Sequence, residues 1–234
     1  MSSTVTGWAA PERHLPDDLL RELLPNGNRR RYGRREILFH EADPADALHV
    51  VLRGRLAVRV TTALGSSVML DVVGPGDLLG ELAVLSDDGH RSATVVTLEP
   101  AETLVIRGVV FEELRQADAR LNEFALGVLT RRNRQLVARL AEVVSVSAEV
   151  RVVRRLVEVA RLFENGEECT VVPLTQDDLA GLAATTRETV NRALRRQVVA
   201  GVLELGRGRI VVLTPERLAA AAFGAGVRGV TQRV

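Results

Sequence analysis

Residues 80–93, GELAVLSDDGHRSA, hold the side-chain types that can grip a phosphorylated sugar. Gly80 lets backbone N–H groups approach an anion closely. Glu81 offers acceptors for a sugar hydroxyl, and Leu82 and Ala83 complete the opening. Arg91 and Ser92 follow eleven and twelve residues after the glycine. They can converge on a phosphate, the guanidinium supplying charge and a fork of donors.

A second group lies in the C-terminal half. Thr175, followed by Gln176, opens a short helix running to Ala184, with Asp178 at the capping-box position. Thr186, after Thr185, caps a second helix, 187–194, and Thr189 sits in its first turn. Leu179, Leu182, Val190 and Leu194 form a shared core. This is helix-turn-helix spacing, which leaves the polar end of the second helix for a DNA groove. Arg187 and Arg192 can each take guanine O6 and N7, and Glu188 can accept from cytosine N4. Residues 201–205 and 209–213 flank Gly206-Arg207-Gly208 and predict a β-hairpin, a wing that brings Arg207 and Arg209 to DNA phosphates.

The elements that must position these groups follow from pattern. A short capped helix is expected after Pro16, ending at Pro25-Asn26-Gly27. Apolar, β-branched runs at 48–52, 56–60, 68–73, 93–98 and 103–106 are separated by turn signals every ~8–12 residues, which predicts a sandwich or barrel. Val109, Val110 and Leu114 suggest a short helix, and 119–146 reads as a long one without proline. Leu126, Leu129, Leu136, Leu140 and Val143 fall at coiled-coil spacing, with Asn133 at an a position, which favours a parallel dimer. Packing of that stripe on the β-structure is the alternative. One of Arg131, Arg132 and Arg134 is expected to reach back to Glu81. A third helix, 148–164, is expected to be capped by Ser147 and ended by Asn165-Gly166.

Composition narrows the classes. With 234 residues the chain can bury one or two cores. Its 31 basic and 30 acidic residues cancel, so any DNA-binding surface must be local. Cys169 is the only cysteine, which excludes a disulfide framework or cysteine cluster within one chain. His14, His40, His49 and His90 have no metal-ligand spacing, and no metal is expected. No apolar run approaches the ~18 residues of a spanning helix, and residues 1–14 lack a signal-peptide pattern. The expectation is a soluble, cytoplasmic protein with no membrane partner.

The Gly80–Ala83 opening and Arg91–Ala93 close resemble the phosphate-binding cassette of cyclic-nucleotide-binding domains, and the turns at Arg53-Gly54 and Gly74–Asp77 fit that β-roll. The order cassette, long helix, winged helix resembles the cyclic-AMP receptor and fumarate/nitrate regulator superfamily, over about residues 15–222. The string Arg187, Glu188, Arg192 resembles the cyclic-AMP receptor branch, which reads a TGTGA-type half-site. The resemblance implies an α+β chain. Its parts are a tail at 1–14, a β-roll at 15–117, a dimerisation helix at 118–146, a winged helix-turn-helix at 147–222 and a tail at 223–234. It further implies a homodimer on double-stranded DNA, RNA polymerase as a partner, and cyclic AMP or another cyclic nucleotide as ligand. Family adenine contacts come from a Thr-Ser pair, which Leu136 and Val137 replace, so Arg132 and Asn133 are the expected polar contacts from the long helix. A ligand-independent regulator and, more remotely, an enzyme's regulatory subunit are the alternatives. No nucleophile–base pair or nucleotide-triphosphate loop suggests catalysis.

Overall fold

The computed structural model describes residues 15–85 and 89–224. Helix α1 (Asp17–Leu23) runs into a single 3-10 turn and leads to strand β1 (Asn28–Tyr32). Strands β2 (Ile37–Phe39), β3 (Ala47–Arg53), β4 (Leu56–Thr61), β5 (Ser67–Val73) and β6 (Leu78–Leu79) follow. A short helix α2 (Glu81–Leu85) precedes β7 (Thr94–Thr97) and β8 (Ala101–Arg107). These strands make two four-stranded sheets, ordered β1-β8-β3-β6 and β2-β7-β4-β5. Val51, Leu56, Val73, Leu79, Val95 and Ala101 form one core cluster drawn from both sheets. Leu48, Val50, Leu104 and Ile106 pack instead with Leu19 and Leu23 of α1. Strand β3 is covered on both faces, so residues 47–51 are all buried and show no alternation.

Helix α3 (Gly108–Ala117) covers the roll with Phe111, and helix α4 (Ala119–Ser145) leaves it. Asp118 caps α4 by accepting from the Arg120 N–H at 2.9 Å. Only Leu121, Ala125 and Val128 of α4 are buried, all in its first half. The chain turns extended at Val146, and helix α5 (Ala148–Phe163) begins. Ser147 stands at its N-cap position but makes no side-chain capping bond, and the helix stops at Phe163. Pro16 likewise gives α1 no side-chain cap, having no acceptor to offer.

The C-terminal module contains β9 (Thr170–Val172), α6 (Gln176–Leu182), α7 (Arg187–Val199), β10 (Leu203–Gly206), β11 (Arg209–Val212) and α8 (Pro215–Phe223). Its sheet order is β10-β11-β9. The expected capping box forms: the Asp178 N–H donates to Thr175 Oγ1 at 3.1 Å and the Thr175 N–H to Asp178 Oδ2 at 2.8 Å. Helix α7 extends beyond the predicted 187–194 to Val199, although its buried residues, Val190, Ala193 and Leu194, all lie within the predicted span. Strand β9 is only three residues long and pairs with distant β11, and α8 is an alanine-rich helix with Pro215 in its first turn. Phe223 closes α8, so it is not part of a tail. The expected tail at 1–14, and residues 225–234 of the tail expected at 223–234, lie outside the described residues.

The two modules share a core. Ala57, Met69 and Val72 of the roll cluster with Val152, Leu156 and Leu179. Helix α6 lies so close to β5 that a Cβ on Gly181 would come within 2.9 Å of the Met69 backbone. Arg59 pairs with Asp178, and the Arg55 Nε–H donates to the Leu162 carbonyl at 2.6 Å. Arg151 is buried and joins the modules at the hinge. It donates to the Val146 carbonyl at 2.7 Å and to the Ala183 and Ala184 carbonyls at 3.1 Å each. Ala184 has φ +48°, a left-handed conformation that an L-residue keeps only when its surroundings fix it.

Candidate functional site: a cavity beside the long helix and an exposed recognition helix

A cavity of about 200 Å³ lies between the β-roll and α4. Gly80, Glu81, Leu82, Ala83, Arg91, Ser92 and Arg132 all line it. Arg91 is held by its backbone: its N–H donates to the Asp43 carbonyl at 2.9 Å and its carbonyl accepts from Ala42 at 2.8 Å. The side chain is only 6% exposed, yet Nε and Nη1 have no hydrogen-bond partner. A buried guanidinium with idle donors is costly unless an anion meets them. Its carbon sits 4.3 Å from the centre of the Phe39 ring, a cation–π contact that orients the plane. Burial lowers the Arg91 pKa, while Asp46, Asp43 and Glu81 pull it back up.

Gly80 makes this placement possible. It has φ +77°, and any Cβ there would collide with Arg91 Nη1. Glu81 is buried, with Oε1 paired to Arg132 and Oε2 without a partner. Arg132 also donates from Nη2 to the Leu78 carbonyl at 2.6 Å. Of the three candidate arginines, Arg132 is thus the one that reaches the cassette. The orphaned atoms fit a cyclic nucleotide: Arg91 Nε and Nη1 suit a phosphate, and Glu81 Oε2 suits a ribose hydroxyl. Ser92 is exposed at the cavity edge.

Asn133 does not line the cavity and is exposed. Helix phase explains the difference: positions three, four and seven after Arg132 share its face, and these are Gln135, Leu136 and Arg139. Val137 also lies outside the lining and is 61% exposed. Counting from Arg132 along α4 would have found Gln135 and Arg139 in the sequence. Asp71 and Leu70 line the same end and carry no such signal. Arg139 donates to the Leu70 carbonyl at 2.7 Å and to Asp71 Oδ1 at 2.9 Å. Burial works against the Arg139 charge, but Asp71, Glu158 and Glu142 together outweigh it and raise the pKa.

His49 stands behind this site. Its ring centre is 5.6 Å from that of Phe39, and Nδ1 lies 3.1 Å from Thr103 Oγ1. Burial, reinforced by the charges of Arg91 and Arg30, lowers its pKa to about 4. Among the described residues no cluster of histidine, cysteine or acidic side chains could hold a metal, and no helix is long and apolar enough to cross a membrane.

On α4, Leu126, Leu136 and Leu140 are 62%, 61% and 67% exposed in the single chain. Val143 and Asn133 are exposed with them, and Leu129 is half-buried. In the DNA-reading module Arg187, Glu188 and Arg192 are exposed on α7, and Arg207 and Arg209 on the wing. Arg187 pairs with Asp177 at 3.4 Å, and Arg192 donates to Glu149 at 2.6 Å. Thr175 and Thr186 cap α6 and α7, Thr189 Oγ1 lies 3.1 Å from Thr186 Oγ1, and Gln176 accepts from Asn191 at 3.2 Å. Gln176 thereby links α6 to α7, while Thr175, Thr186 and Thr189 secure the starts of their own helices.

Residues 29–118 match the cyclic nucleotide-binding domain, and residues 150–221 match the Crp-like helix-turn-helix domain. The chain is 28% identical over 191 residues to the CRP-like cAMP-activated global transcriptional regulator of Mycobacterium tuberculosis, covering 80% of this chain and 85% of that protein. The c-di-GMP responsive regulator CLP of Xanthomonas campestris shares the fold at a TM-score of 0.71 and 22% identity, over 85% of this chain and all of that one. The cyclic AMP receptor protein of Thermus thermophilus is 32% identical over 202 residues, 84% of this chain and 88% of that protein. With both domains matched in order and that identity across nearly the whole relative, the chain belongs to the cyclic-AMP receptor and fumarate/nitrate regulator superfamily of transcription regulators, a family that is not enzymatic.

Proposed function

We infer that this regulator is a homodimer whose β-roll binds a cyclic nucleotide and whose paired α7 helices read a palindromic TGTGA-type site. The observation that carries the ligand half is Arg91: a buried guanidinium with two idle N–H groups, seated over a glycine in a cavity. Cyclic AMP is a candidate because two relatives are named for it. The exposed stripe at Leu126, Leu136, Leu140 and Val143 favours a second copy against α4 rather than packing on the roll. Exposed Arg187, Glu188 and Arg192 suit base edges, and Arg207 and Arg209 suit phosphates. In the dimer the two α7 helices would enter major grooves about one turn, ~34 Å, apart. RNA polymerase is the expected partner of the DNA-bound dimer.

Gating requires the nucleotide to prefer one arrangement of the modules. Strand β5 offers a route, since it lines the cavity with Leu70 and Asp71 and meets α6 through Met69. The test is fluorescence anisotropy on a palindromic TGTGA duplex and a random duplex, with and without cyclic AMP or cyclic GMP. Tighter specific binding with nucleotide, lost in Arg91→Ala, is expected. Unchanged affinity at saturating nucleotide would leave a regulator that needs no ligand. Arg187→Ala losing equally on both duplexes would reduce Arg187 to a phosphate contact.

A further inference from the structure

Two neighbours on one strand, Leu70 and Asp71, both line the cavity. In regular β-structure successive side chains point to opposite faces. The exception has a cause in the register. Val58 on β4 pairs with Asp71, but Arg59 pairs with Met69, so Leu70 is an extra residue in β5. A β-bulge of this kind re-aims side chains and is common beside binding sites. Here it brings a carboxylate to the end of the cavity that lies against Gln135 and Arg139. Asp71 is fixed there by Arg139 through Oδ1. Among the described residues no protein donor meets its Oδ2.

We propose that Asp71, assisted by Gln135, reads the base of the bound nucleotide and selects guanine over adenine. The inference rests on the cyclic-nucleotide reading given above. Guanine places two adjacent donors, N1–H and the N2 amine, on its pairing edge, and a carboxylate is an acceptor pair. Adenine puts an N1 lone pair at that position, which a carboxylate repels, so the same group attracts one purine and excludes the other. Gln135 can donate its amide N–H to guanine O6. Val58, Val60 and Leu70 supply apolar surface for the base face. The side chains at the two positions where the family binds adenine are aliphatic and offer it nothing.

The experiment is calorimetric titration of the full-length protein with cyclic GMP, cyclic AMP and cyclic IMP, whose base lacks only the N2 amine of guanine. Cyclic GMP should bind roughly tenfold to a hundredfold more tightly than cyclic AMP. Cyclic IMP should fall between them, and this comparison needs no mutation. Asp71→Asn keeps an acceptor for Arg139 but turns an amide donor toward the base, so it should reverse the preference. Thermal unfolding checks that the variant is folded. Cyclic AMP binding as tightly as cyclic GMP, with Asp71→Asn affecting both alike, would overturn the guanine assignment and leave nucleotide binding standing. No binding by any of the three would overturn both.

Discussion

The two ends of the cavity are built differently. At one end Gly80, Glu81 and Arg91 come from a single short stretch, in which Glu81 and Arg91 are buried and leave donors and an acceptor without partners. At the other, Asp71 and Arg139 come from a bulged strand and a long helix, are part-exposed, and pair through Asp71 Oδ1. The first end is a charge trap whose energy is released only when an anion arrives. The second is a rigid pair that can only discriminate. Affinity should therefore reside at the Arg91 end and selectivity at the Asp71 end.

The largest effect should follow from Arg91→Ala. Each charge-assisted hydrogen bond contributes about 1.5–3 kcal/mol, and two idle N–H groups are lost. Nucleotide affinity should fall by about a hundredfold or more for every base alike. Stability should hold or rise, because a buried unpaired charge is removed. Calorimetric titration with thermal melting checks both parts. A loss that depended on the base would break the division between the ends.

The next effect is on pH dependence. His49 has a folded pKa of about 4 against an ordinary 6.5, through burial and then the charges of Arg91 and Arg30. The unfolded chain takes up the proton first, so the stability contributed by the neutral ring is complete above pH 6.5. It is lost as pH falls from there towards 4. The window of about 2.5 units corresponds to roughly 3 kcal/mol. Urea unfolding at pH 7 and pH 4.5 should show His49→Gln losing less stability than the parent protein. Equal losses would mean that His49 is not held neutral beneath the Arg91 end.

How much of this was legible differs between the ends for the same reason. The Arg91 end is local, so residue types at fixed spacing point to it; the reach to Glu81 was expected of one among Arg131, Arg132 and Arg134, and helix phase makes it Arg132. The capping box at Thr175 and Asp178 was legible because it closes within three residues. Asp71 was not, because a bulge is a property of strand pairing and a period-two pattern cannot show which residue is extra. Asn133 was singled out by chemistry and proximity, while helix phase puts Gln135 and Arg139 on the cavity. Contacts between the modules, such as Arg59 with Asp178 and Gly181 on Met69, join residues more than a hundred positions apart and left no pattern. Strand β9 and helix α8 are short and gain their stability from the core they complete.

Gly80→Ala sharpens the comparison through a matched control. Gly80 and Gly65 have φ of +77° and +78°, so alanine is strained at either, by about 1–3 kcal/mol. A Cβ at Gly65 meets nothing within 4 Å, whereas at Gly80 it collides with Arg91 Nη1. Both variants should lose melting temperature, and only Gly80→Ala should also lose nucleotide affinity. If both bound normally, Arg91 would not need its seat over the glycine.

The smallest effect belongs to Ser92→Ala. Ser92 lines the same end of the cavity as Arg91, but it is exposed, so water satisfies its hydroxyl when no ligand is present. A hydrogen bond from it to a phosphate exchanges one polar partner for another, worth about 0.5–1.5 kcal/mol. Arg91 has no such exchange to make, since its two idle N–H groups are out of reach of water. Ser92→Ala should therefore weaken binding by only about two- to tenfold, equally for each base, in the same titration used for Arg91→Ala. The ratio of the two losses measures how far burial, rather than the number of donors, sets affinity at this end. A Ser92→Ala loss as large as that of Arg91→Ala would mean that the bound state closes over Ser92 and shields it as well, and the contrast between a buried trap and an exposed rim would fail.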